Sequence, residues 1–150
     1  MDAELVFGES ESIAASAAGS TVLDGIVTMP QVKDHKDTLQ NDRPNVSGRL
    51  HWNCVVEDED LLAAVDGSVL TFELYNDTDT TPATGGDAIL THVVTENTPS
   101  EHPDGTQLFS IPLPVGQLKP YYATKVSVAT QDLSTGKVTC WIGGPIQQGQ

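Results

Sequence analysis

Arg49-Leu50-His51-Trp52-Asn53-Cys54-Val55-Val56 and, just past Asp66-Gly67, Val69-Leu70-Thr71-Phe72-Glu73-Leu74-Tyr75 decide how this chain folds. Large apolar side chains recur at every second position, Leu50, Trp52, Cys54 and Val56 in the first stretch and Leu70, Phe72 and Leu74 in the second. A period of two places one set on one side of a pleated strand and the intervening set on the other, so both stretches read as strands with one face in a core.

The same pattern continues in both directions. Ala88 to Thr95, Gln107 to Leu113, Tyr121 to Gln131 and Lys137 to Gly143 read as further strands, with Val126, Val128, Val138, Cys140 and Ile142 facing inward. Asp66-Gly67, Pro103-Asp104-Gly105 and Ser134-Thr135-Gly136 separate them as turns, because Gly accepts positive φ and Pro presets a corner. Ser12 to Ala18 and Ser20 to Val27 read as two weaker strands, since Ala and Ser have little to bury. Asp58 to Val65 is the expected helical segment, with Asp58 as N-cap and acids near the positive end of the helix dipole. Pro30 to Pro44 and Asp77 to Asp87 read as loops.

About eight strands with turn-rich connections and no alternating helices predict an all-β protein, a β-sandwich of jelly-roll type. The expected organisation is an extended N-terminal arm at 1–11, the sandwich at 12–143 with one long loop at 30–45, and a tail at 144–150. A long structureless loop within a compact domain is usually functional, so the first loop is expected to make contacts.

Twenty-one acids oppose seven Lys and Arg, for a formal charge of -14. Such a field repels phosphate and anionic lipid, which argues against direct nucleic-acid or membrane binding. No run approaches the roughly 20 apolar residues of a membrane span, and Met1-Asp2-Ala3-Glu4 carries acid where a signal peptide needs base. The expectation is a chain made and kept soluble inside a cell.

Chemistry-bearing patterns are sparse. No G-x-S-x-G elbow is present, and His35, His51, His92 and His102 are scattered without metal-ligand spacing, so neither an enzyme nor a cofactor is expected. Glu57-Asp58-Glu59-Asp60 reads as a solvated loop, since four adjacent carboxylates repel one another. Asn76-Asp77-Thr78-Asp79 lacks the Gly and Glu that a calcium loop needs at later positions. Cys54 and Cys140 read as small buried hydrophobes with free thiols, a disulfide between adjacent strands being the alternative. Trp52, Phe72 and Tyr122 fall on inward positions, whereas Phe109, Tyr75, Tyr121 and Trp141 could be exposed as a sugar-binding platform or a subunit interface.

The apolar Leu5, Val6 and Phe7 call for a partner, either the chain's own sheet edge or that of a neighbouring subunit. With Lys33, Lys36 and Arg43 of the long loop they are the candidate protein-interface residues.

Two stretches carry a family resemblance. Asp2-Ala3-Glu4-Leu5-Val6-Phe7, Glu11-Ser12-Ile13 and Ser20-Thr21-Val22-Leu23-Asp24 form the first, and Ile111-Pro112-Leu113-Pro114-Val115-Gly116, Tyr121 to Val126 and Ser134 to Cys140 the second. In this order the chain resembles the capsid cement, or decoration, proteins of Bordetella-type tailed bacteriophages. It departs from them in the long loop and at Gln117-Leu118-Lys119-Pro120. The resemblance implies a non-enzymatic jelly-roll virion protein made in the host cytoplasm. It would bind the outside of an icosahedral head, bridge major capsid protein subunits and pair with itself as a dimer or trimer. The alternative is a carbohydrate- or receptor-binding module of a head fibre or tail.

Overall fold

The structure, a computed structural model, describes residues 6–23, 27–28, 50–114, 119–144 and 146. The strands are β1 (Val6–Ser12), β2 (Ser20–Val22), β3 (Val27–Thr28), β4 (His51–Val56), β5 (Leu62–Ala63) and β6 (Ser68–Asp77). After one helical turn, α1 (Pro82–Gly85), come β7 (Asp87–Glu96), β8 (Gln107–Pro112), β9 (Tyr121–Ala129), β10 (Leu133–Thr135) and β11 (Lys137–Gly143). Every pairing is antiparallel.

One sheet has the order β1-β11-β4-β8; the other has β2-β9-β6-β7, with β3 continuing along the β9 edge beyond β2. Leaving aside β3 and the small β5–β10 ladder, the principal strands run first-eighth-third-sixth in one sheet and second-seventh-fourth-fifth in the other. That order is a jelly roll, in which consecutive strands repeatedly cross between two packed sheets. The sandwich expected from the alternating runs is therefore present.

The inward positions are those that the alternation marked. Trp52, Cys54, Val56, Val138, Cys140 and Ile142 from the four-stranded sheet meet Leu70, Phe72, Leu74, Tyr122, Val126 and Val128 from the other. Phe109 is buried among them, which corrects its expected exposure: its ring lies 4.4 Å from Trp52, 5.3 Å from Phe72 and 4.9 Å from His92. Tilted and edge-on pairs of this kind add about 0.5–1.5 kcal/mol each beyond their area burial. Burial lowers the His92 pKa, so the ring is held neutral. The Trp52 indole N–H donates to Thr124 Oγ1 at 3.1 Å across the core, so neither polar group is buried without a partner.

Several local expectations differ from what is observed. Asp58 to Val65 is not a helix: Asp58 has φ 69°, and Leu62–Ala63 is strand β5, paired with β10. Leu61 and Ala63 are both buried, a period of two that outweighs the N-terminal acids. The helical turn lies instead at Pro82–Gly85, within the segment expected to be loop, where Pro at the first helical position presets φ. Ser12 to Ala18 is not a strand beyond Ser12, and Ala15 makes only an isolated bridge to Leu133. Gly67 and Gly105 take φ of 98° and 88° in the turns assigned to them.

The segment 1–11 is in part a strand: Val6 to Ser12 add to the chain's own β11, with bulges on either side of Gly8. Phe7 is fully buried, so its side chain is committed to the chain's own core and offers nothing to a neighbour. Val6 is half-buried at the sheet edge. Among the described residues no helix is long and apolar enough to cross a membrane.

Candidate interaction surface

The outer side of the five-stranded sheet brings together outward-facing side chains from four aligned strands. On β6, Val69, Thr71, Glu73 and Tyr75 point outward, as their half-burial between buried neighbours shows. Beside them on β7 lie Thr91, Val93 and Thr95, and on β9 Lys125, Ser127 and Ala129. β2 extends the face with Ser20 and Val22. Glu73 is the one acid in this set and pairs in register with Lys125, the one base. The Tyr75 hydroxyl donates to Glu73 at 3.0 Å, and burial, with this bond second, raises its pKa.

In a chain of charge -14, this face is mostly Thr, Ser, Val and Tyr, with Glu73 and Lys125 in cross-strand register and Asp77 at its end. Val22 and Val93 are 45% and 55% exposed there. At one end of the face α1 lies against β6 and β9. Between it and the β2 edge runs an apolar cleft of about 310 Å³, lined by Val22, Leu23, Thr81, Pro82, Thr84 and Ala123.

The acids collect at the opposite end of the sandwich, in the loops that follow β4, β5, β7 and β9. There the Asp58 N–H donates to Asp104 Oδ1 at 2.9 Å, the Asp104 N–H to Asp60 Oδ1 at 2.6 Å, and the Thr98 N–H to Asp66 Oδ1 at 2.7 Å. Ser10 donates to Asp58 at 2.5 Å, and the Thr139 hydroxyl donates to Glu57. Three carboxylates of the run thus hold neighbouring segments, Asp60 through a backbone N–H and Glu57 and Asp58 through hydroxyls. Glu96 is fully buried at this end; it accepts the Glu101 N–H at 2.6 Å and faces His102 Nδ1 at 2.5 Å. Among the described residues no three His, Cys, Asp or Glu side chains converge as a metal site.

The outer side of the four-stranded sheet is organised differently. Asn53 donates from Nδ2 to the carbonyls of His51 and Gly144 at 3.2 and 3.1 Å, and its Oδ1 accepts the Ser110 hydroxyl at 2.7 Å. Two carbonyls fix the amide orientation, so Ser110 gives its proton to Asn53, and His51 Nδ1 is the donor of the 3.1 Å contact with Ser110. Ser110 Oγ also accepts the Ile146 N–H at 3.3 Å. A nucleophilic serine needs its proton aimed at a basic nitrogen, whereas this one faces an amide oxygen and acts as a clamp on the segment after β11. Sequence reasoning missed this constellation because His51, Asn53 and Ser110 share no linear motif and meet only through the β4–β8 register.

Of the sequence-derived interface candidates, Val6 lies on the β1 edge and Phe7 in the core, while Leu5, Lys33, Lys36 and Arg43 lie outside the described residues. The half-buried Tyr75 and Tyr121 are on the outer side of the five-stranded sheet, and Trp141 is on the other sheet. The surface residues Val22, Thr71, Val93 and Ser127 were not singled out; their signal is the absence of charge at alternate positions, legible only once the strands are aligned. Comparison with protein-family models and with curated proteins finds no match to this chain.

Proposed function

We propose that this chain is a structural virion protein, a capsid decoration protein that binds the outside of an icosahedral phage head and bridges subunits of its major capsid protein. The supporting observation is the sparsely charged outer face of the five-stranded sheet on a jelly roll of charge -14. Elsewhere like charge opposes close approach to acidic surfaces, and this face, with fewer charges, is desolvated at a lower electrostatic cost than the acidic loops. The fold is the one that the family resemblance implies, and the open β-edges suit association with a second copy.

The mechanism is mechanical. A copy held on two capsid subunits must be released when they separate, so attachment shifts the equilibrium toward the assembled shell. Many copies per head make modest individual contacts sufficient. Lys33, Lys36 and Arg43 belong to the same proposal as contacts to acidic capsid surface.

Co-sedimentation of the purified chain with phage heads stripped of their decoration, followed by heat or osmotic shock, tests the proposal. Saturable binding with improved particle survival is the expected result. A failure to bind, together with recognition of immobilised glycans, overturns it in favour of the receptor-binding alternative.

A further inference from the structure

Cys54 and Cys140 sit directly opposite each other on β4 and β11, the two central strands of the four-stranded sheet. Both are fully buried in the core, and their sulfurs are 2.8 Å apart, inside the ordinary contact distance of two unbonded sulfur atoms. Directly opposed residues of an antiparallel ladder have Cα atoms about 4.5 or 5.5 Å apart, both within the range of about 4.4–6.8 Å that a disulfide spans. Closing the bond requires the sulfurs to approach to about 2.05 Å, a shift available from side-chain rotation and a small narrowing of the ladder.

We propose that Cys54 and Cys140 are a modification site, a redox-closing pair that a low-molecular-weight disulfide converts into a cross-strand staple. In the first step one cysteine thiolate attacks the small disulfide, forming a mixed disulfide and releasing one small thiolate. The second cysteine thiolate then attacks the protein sulfur of the mixed disulfide, forming the Cys54–Cys140 bond and expelling the second small thiolate. The protein loses two protons and two electrons, and the oxidant leaves as two thiols carrying both protons.

The same burial controls when the bond forms. Desolvation, then the Cys140 hydrogen bond, raises the Cys54 pKa well above its ordinary value, so thiolate is scarce in the folded protein and the oxidant has no path to it. Exchange therefore takes place during folding or opening of the sheet, and the native state protects whichever redox form it closed over. The inference is independent of the proposed virion role.

The test is to refold the full chain from denaturant with oxidised plus reduced glutathione, and in parallel with reduced glutathione alone. Thiols are titrated after denaturation, and unreduced peptides are mapped by mass spectrometry. The oxidised preparation is expected to contain no free thiol and one Cys54–Cys140 peptide pair. Because the bond closes a loop 86 residues apart, its Tm should exceed that of the reduced preparation by about 5–15 °C. Intact reduced protein should resist thiol reagents that react fully once it is unfolded. Cys140→Ala, verified as folded by circular dichroism, should show no redox-dependent Tm. Two titratable thiols in the folded product, a predominance of intermolecular bonds, or an oxidised Tm no higher than the reduced one would each overturn the proposal.

Discussion

On the outer side of the four-stranded sheet the polar Asn53 and Thr139 are 0% and 3% exposed, whereas on the outer side of the five-stranded sheet the apolar Val22 and Val93 are 45% and 55% exposed. The usual assignment of polar to outside and apolar to inside is reversed on both. The first face is covered by the chain itself: Asn53 and Ser110 tie down Gly144 and Ile146, and Thr139 accepts the Ser10 N–H from β1 at 2.8 Å. Among the described residues the second carries no such cover over Val93. Buried polar side chains are tolerated where each has a partner.

The largest effect that tests this contrast comes from the covered face. Asn53→Ala removes a fully buried side chain with its two donated and one accepted hydrogen bonds to part-buried partners and is expected to cost about 2–4 kcal/mol, read as a lower denaturant midpoint with an unchanged m-value. A loss below about 0.5 kcal/mol would mean that the clamp is not formed in solution.

Next in size is a pH effect from the core between the faces. Burial pushes the Tyr122 hydroxyl up to about 12, with a hydrogen bond to Asn76 partly opposing it. A raised folded pKa favours the protonated form, so this stability is full below the unfolded value near 10 and is lost as pH rises through about 12. Cys54, also raised, acts with the same sign from about pH 9 upward. Tyr122→Phe should therefore flatten the alkaline limb of a stability-pH profile by about 2 kcal/mol, and an unchanged limb would show the hydroxyl to be solvated.

On the open face the expected signature is binding without stability. Val22→Glu combined with Val93→Glu should leave Tm nearly unaltered, because both side chains are largely exposed, and weaken binding to stripped heads at least tenfold. Full binding by this variant would move the contact surface elsewhere. Smallest is the Glu73–Lys125 cross-strand pair, for which a double-mutant cycle should yield about 0.2–1 kcal/mol, declining with added salt.

The long strands were legible because each alternates over six or more residues: β6, β9 and β11 lie where the apolar period placed them. The short ladder of β5 and β10 was not, since two or three residues hold no period, and Ser134-Thr135-Gly136 reads as a turn where Leu133–Thr135 is strand β10. Phe109 was misplaced because β8 alternates weakly, with Leu108 and Ile111 both half-buried beside it. For the candidate surface, the gathering of mostly uncharged side chains on one face was not legible until the β2-β9-β6-β7 alignment.

By itself the sequence determined an acidic all-β chain, the strands that build it and the side chains that fill its core, because period-two alternation and turn chemistry act over a few neighbouring residues. Only the tertiary structure decided that Phe7 belongs to the core, that Cys54 faces Cys140, that Asn53 clamps the segment after β11, and that Val22 and Val93 come to lie on one outer face. Each of these depends on register between strands far apart in the chain, and local pattern holds no information about register until the sheets have formed.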